Sequence, residues 1–349
     1  MGRLRYTIRR LLQAIPVVVG VVTITFFLTD AIPGDPVSIL LGPSPSAQQA
    51  AAIRAKFGLD KPLWLRYLNY LGDVSPIWLE LTARFPFVRP TFGVDLGQSI
   101  YYQVPVLQKI LERLPVTLYL LLSAFAFALV TAVPLGVISA KRRNKPTDHV
   151  SRVVALLGVS TPSFWIGLML IIVFSYQLNL LPGTNLVLPW APIDSVDGAT
   201  SRVDVFVTSL RHLLLPMITL GTLQMAAFTR IERSSMLEVL GQEYVTLARA
   251  YGVSERTILR KHAFRNAQLP LITLVGLQLT QALGGAVLTE TVFSINGMGR
   301  LVILAIQNQD FPLVMGTTLV FGIVFVVGVI VTDLSYAYVD PRVTFEGEE

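Results

Sequence analysis

The chain has 349 residues, of which 53% are hydrophobic and only 14% charged, with three histidines and no cysteine. A soluble domain carries roughly a quarter charged residues, so the composition excludes an ordinary soluble protein and indicates an integral membrane one. The net charge of +6 does not require nucleic acid, because basic loops beside membrane spans give the same excess; the missing cysteine excludes disulfides and thiolate chemistry.

In chain order, MGRLRYTIRR is short and basic, and an apolar run from Leu11 to about Thr29 follows. The run is longer than a signal-peptide core and ends without a small-residue cleavage site, so it predicts a retained first span. Residues 34–106 are the longest stretch outside the spans. Ser46–Lys56, with Ala51, Ile53 and Phe57 on one side, and Leu63–Leu71 predict two amphipathic helices. They are too small for a core of their own and are expected to pack on the spans as an external cap.

The second span is expected from Pro115 to Ala140, followed by the basic loop Lys141–Lys145. The third runs from Val153 to Phe174 and contains Pro162, which removes a backbone hydrogen bond and kinks the helix. Ser160, Thr161 and Ser163 can satisfy the freed carbonyls. A loop from Leu180 to His212 precedes a short fourth span, Leu213–Thr229, with continuation past Arg230 left open. The fifth span runs from Pro270 to Leu288 and the sixth from Pro312 to Val331. The expectation is therefore an all-α integral membrane protein with six transmembrane helices. It divides into 1–33 (N-terminus and first span), 34–106 (external cap), 107–340 (core, with a polar loop at about 230–269) and 341–349 (tail).

With the N-terminus placed inside, the inner segments hold most of the 28 lysines and arginines. The outer ones are spread over longer loops. By the positive-inside rule both termini, and the stretch Glu243–Pro270, are cytoplasmic.

That stretch is polar and basic between two apolar runs. Leu237, Leu240, Tyr244, Leu247, Ala248 and Tyr251 recur at steps of three and four, predicting one apolar helix face. Gly252 stops the helix at a left-handed position, and Ser254 caps a second helix. Ile258, Leu259, His262 and Ala263 form the buried side of that second helix. Periodicity alone leaves two readings: a surface on which a soluble partner docks, or an amphipathic segment lying on lipid headgroups.

The spans themselves are chemically empty. Charged and histidine side chains are missing from all but the fourth, which Arg230 closes; Glu290 lies just beyond the fifth. Ion-coupled carriers bury such groups at membrane depth. The nucleotide-cradling G-x-x-x-x-G-K-[ST] is missing too. His149, His212 and His262 are far apart and read as loop or interface residues, and no metal site is expected. Gln278 and Gln281, with Thr219, Thr222, Gln224, Gly276, Gly284, Gly285 and Gly316–Thr318, serve either helix packing or a polar solute pathway. Two amides need hydrogen-bonding surroundings, so the Gln278/Gln281 pair is the stronger pathway candidate. Gly297 and Gly299, with Asn296, predict a tight turn before a helix that carries Leu301, Val302, Leu304 and Ala305.

Several of these stretches resemble the permease subunits of ABC importers. Ala248-x-x-x-Gly252 is similar to the core of their cytoplasmic loop. The general pattern's later isoleucine-x-leucine-proline is replaced by His262-Ala263-Phe264-Arg265. Arg265-Asn266-Ala267 followed by Leu269-Pro270 resembles the dipeptide and oligopeptide branch. So do Ile32–Pro36, Phe57–Leu63, Asp95–Ser99, Ser234–Leu240, Glu290–Leu301, Asp310–Pro312 and Tyr338–Arg342, although Asn296 stands where proline is common. The resemblance weakens at 74–91 and 187–207.

It implies a type I importer fold like that of the methionine-importer permease, in a cell-membrane protein that is a transport subunit and not an enzyme. Further implications are a second homologous permease, two cytoplasmic ATPases holding ATP and magnesium, and an external solute-binding protein, with no cofactor in this chain and no nucleic acid. Glu243, Tyr244, Ala248, Arg249 and Gly252 would make the ATPase-coupling contact. Peptides are the expected solute, with nickel chelates or sugars as alternatives. A stand-alone carrier or a membrane scaffold remains as a reading from another class.

Overall fold

The computed structural model describes residues 3–31, 46–56, 59–74 and 95–339. The Ile32–Pro36 and Asp340–Arg342 motif residues, Phe57–Gly58 and most of 74–91 lie outside them. The described residues are helical, apart from loops and one isolated antiparallel bridge between Gln98 and Pro105. Among the described residues, four helices are long and apolar enough to cross a membrane, and a bent pair makes a fifth candidate. The predicted fifth span lies on a further 29-residue helix, about 44 Å long at 1.5 Å per residue. The chain divides into two compact units.

One unit comprises Leu12–Leu114 with Arg300–Val324. It holds most of α1 (Arg3–Ala31), α2 (Ala47–Lys56), α3 (Leu63–Val74) and the start of α4 (Val106–Lys141). α3 is amphipathic, and its aromatic face packs on α1: Phe26 lies 5.4 Å from Tyr67 and 5.8 Å from Tyr70 between ring centroids. A Thr23–Tyr67 hydroxyl contact of 2.7 Å and an Arg66–Asp30 ion pair of 2.7 Å complete the seam. Asp310, fully buried, accepts from the Ser99 hydroxyl, the Tyr101 N–H and the Leu313 N–H. Two motif fragments 211 residues apart therefore meet at one carboxylate, which caps the helix starting at Phe311.

The other unit comprises Met1–Leu11, Pro115–Gly299 and Phe325–Glu349. Its central element is α7 (Arg202–Leu240), preceded by α5 (Pro146–Ser160) and α6 (Ser163–Gln177). After α7 come α8 (Glu243–Ala250), α9 (Glu255–Thr257) and a π-helical turn, Ile258–Ala263. α10 (Phe264–Val292) and the end of α12 (Phe311–Val339) also lie in this unit, whereas α11 (Met298–Gln307) from Arg300 and α12 as far as Val324 lie in the first. Small residues let the helices approach. A Cβ on Gly221 would lie 2.7 Å from the Phe127 ring, and one on Gly158 3.0 Å from the Ala226 Cβ.

Four expectations change. The third span is no kinked rod: α5 and α6 meet at 102°. Proline disfavours a helical residue before it; Thr161 is extended (φ −92°, ψ 129°), and its hydroxyl donates 2.7 Å to the Leu157 carbonyl. The fourth span is 39 residues long, more than twice the apolar window. A capping box between Ser201 and Asp204 starts it, so Arg211 and His212 belong to the helix and not to the preceding loop. The fifth span's helix begins at Phe264, ahead of Pro270. Glu290 lies inside that helix and is fully buried, not beyond it.

Candidate coupling site

Gly241 closes α7, and Gln242 is extended (φ −72°, ψ 149°). This turn resets the helical phase. The single apolar face predicted from Leu237 to Tyr251 is therefore two faces, a correction to the sequence reading. Leu237 and Leu240 pack against a cluster of Ala140, Met236, Ala263 and Ala267. On α8, Val245 is fully buried although it lay off the predicted face. Tyr244, Leu247 and Tyr251 face outward at 42%, 56% and 81% exposure, Glu243 and Arg249 are exposed, and Ala248 is half-buried.

The helix is held at both ends. Gly252 has φ +75°; its N–H donates to the Arg249 carbonyl (2.9 Å) and the Val253 N–H to Ala248 (3.1 Å). These two bonds are the Schellman pattern, with glycine at the left-handed C′ position. A Cβ on Gly252 would meet nothing within 4 Å, so its requirement is conformational only. The Ser254 hydroxyl accepts from the Thr257 N–H, as expected of a cap. Arg249 Nε donates 2.8 Å to Glu255, and the Tyr244 hydroxyl accepts from the Asn266 amide at 3.0 Å. Of the predicted buried side, Ile258 and Ala263 are fully buried, and Leu259 and His262 half-buried.

Two buried polar contacts join the helices on either side of this stretch. Asp148 at the start of α5 is fully buried. It accepts from Arg233 through Nε (2.7 Å) and Nη2 (3.0 Å), from the Ser139 hydroxyl (2.6 Å) and from the Asn144 N–H (2.9 Å). A bidentate guanidinium and two further donors are what a buried carboxylate needs, and they fasten α4, α5 and α7 together. Glu232, also fully buried, accepts both contacts of the Gln268 amide, at 2.9 and 3.0 Å, joining α7 to α10. Gly136 of α4 makes room, since a Cβ there would lie 2.6 Å from Glu232. The available signal was Asp148, Glu232 and Arg233 themselves, charges at the ends of apolar runs.

At the turn before α11, the Thr117 hydroxyl donates 2.6 Å to Glu290 and accepts 2.8 Å from the Met298 N–H. A Cβ on Gly297 would overlap the Glu290 carboxylate, and one on Gly299 would lie 2.6 Å from the Val287 Cα. Here the glycines provide space. Along the spans, Thr219, Thr222 and Thr317 donate to carbonyls one turn back in their own helices, which satisfies each hydroxyl locally. Gln278 is half-buried and Gln281 exposed, one turn apart on α10.

The comparisons with known proteins agree with this architecture. Residues 132–345 match the family described as binding-protein-dependent transport system inner membrane component, and residues 3–121 match its N-terminal companion. The dipeptide transport system permease protein DppB of Alkalihalophilus pseudofirmus is 37% identical, the match covering 98% of this chain and all of the relative. The protein of that name in Escherichia coli is 37% identical, over 97% of this chain and 98% of its own length. The oligopeptide transport system permease protein AppB of Bacillus subtilis is 35% identical, over 97% and 99%. An all-helical chain with several membrane-length helices, matched from end to end, is a multi-pass cell-membrane protein and belongs to the family of binding-protein-dependent transport system inner membrane components.

Proposed function

We propose that this chain is the permease subunit of an ATP-driven peptide importer, forming half of the translocation pathway. The observation that carries this reading is α8: a short helix, closed at its C-terminus by Gly252, that turns Tyr244, Leu247 and Tyr251 outward. An exposed apolar patch with a polar rim of Glu243 and Arg249 is the composition of a docking surface. Peptides are the solute because full-length relatives carry dipeptide and oligopeptide names.

In this reading both termini and α8 are cytoplasmic, and α8 sits in a groove on one of two ABC ATPases, which hold ATP and magnesium. A second permease of the same family completes the pathway, with Gln278 and Gln281 facing it, and an external solute-binding protein delivers the peptide. Movement of α8 is passed to α4, α5 and α7 through Asp148–Arg233, and to α10 through Glu232–Gln268. Coupling requires the ATPase to bind the inward- and outward-facing states with different affinity. The test is uptake of labelled dipeptides into proteoliposomes holding all subunits. ATP-dependent uptake that is lost in Gly252→Pro, a variant that still inserts, is expected; equal uptake without ATP would overturn the reading.

A further inference from the structure

Between α5 and α7 lies a cavity of about 360 Å³. Arg152, Arg230 and Arg233 stand on its wall, together with Leu156, Val159 and Ala226. The three cations are not equivalent. Arg233 is held by Asp148. Arg152 lies 3.6 Å from the same carboxylate, contacts His149 Nδ1 at 2.9 Å and remains 45% exposed. Arg230 is exposed and has no ion pair or hydrogen bond among the described residues. Beside these cations the wall carries the hydroxyls of Ser139, Ser151, Thr229 and Ser234 and is otherwise apolar: Leu156 is 66% and Val159 45% exposed, and the strip continues along α5 through Val150, Val153 and Leu157.

A cationic rim joined to a mostly apolar groove fits an amphiphile with an anionic head. A soluble phosphate would leave the apolar wall in water, and a zwitterionic lipid would leave the spare guanidinium without a net counter-charge. Basic pockets between spans are recognised sites for anionic headgroups. We propose that this groove seats an anionic phospholipid, its phosphate on Arg230 and Arg152 and one acyl chain along Leu156, Val159 and Ala226. The leaflet, cytoplasmic, rests on the orientation proposed above; the binding does not.

The test uses the full chain with its co-purifying subunits, in nanodiscs of phosphatidylcholine and phosphatidylglycerol, with retained lipid counted by native mass spectrometry. The wild type is expected to retain phosphatidylglycerol selectively. Each of Arg152→Gln and Arg230→Gln weakens retention roughly fivefold and the pair roughly thirty-fold, while Arg152→Lys/Arg230→Lys keeps most of it. Because the chain lacks cysteine, Leu156→Cys carrying a photo-reactive label reports what lies in the groove. Cross-links to lipid support the proposal. Equal retention of both lipids by the wild type, unchanged retention in the double glutamine variant, or cross-links to a neighbouring subunit would overturn it. The readout involves neither ATP nor uptake, so its failure is distinct from failure of the importer reading.

Discussion

The loop after α8 and the turn before α11 look alike in sequence: both are glycine-containing turns ahead of a helix. The structure gives their glycines opposite duties. Gly252 adopts φ +75° with open space where a Cβ would go. Gly297 and Gly299 are needed for room, because any side chain there runs into Glu290 or Val287. The first turn displays its helix to solvent, and the second closes around a buried carboxylate. A glycine that shapes an exposed contact is thereby separable, by substitution, from one that holds the fold.

The largest effect on stability is expected at the buried turn. Gly297→Val forces a branched side chain into the Glu290 carboxylate and should cost about 3 kcal/mol, the upper range for overpacking. Thermal unfolding in detergent measures it, and an unchanged midpoint would mean that the turn is not closed as described. Gly252→Ala should cost only about 1 kcal/mol, the left-handed backbone penalty alone. Gly252→Asn should cost less than alanine, since asparagine tolerates that region. At Gly297 the order differs: asparagine, being larger, should be worse than alanine. The same ranking at both sites would erase the distinction between them. Arg249→Ala removes only an exposed ion pair to Glu255, at 42% and 58% side-chain exposure. Its effect on folding should stay under about 1 kcal/mol.

Much of this contrast was legible beforehand, and the part that was not has physical causes. Gly252 and Ser254 could be read from sequence because a helix stop and a helix cap are local chemistry. The face of α8 was misassigned because periodicity carries through Gly241, whereas the backbone does not: the extended Gln242 rotates everything after it. The long α7 was clipped because hydropathy finds the apolar part of a helix and not the helix itself. Its start is instead set by Ser201 and Asp204. Asp148–Arg233, Glu232–Gln268 and Thr117–Glu290 join positions 85, 36 and 173 residues apart; no local pattern pairs them. Pro162 was rightly read as a disruption, but the 102° angle depends on what α5 and α6 pack against.

The most direct test concerns the outward face of α8. Leu247→Ser and Tyr251→Ser alter side chains that are 56% and 81% exposed, so thermal stability should stay within about 0.5 kcal/mol of the wild type. Each should nevertheless weaken capture of the ATPase by roughly thirty-fold, the scale of an interface hot spot, when the tagged chain is purified with its co-expressed subunits. Loss of the ATPase at unchanged stability is the predicted result. Full recovery of the ATPase by the double variant would contradict the assignment of α8 as the coupling surface.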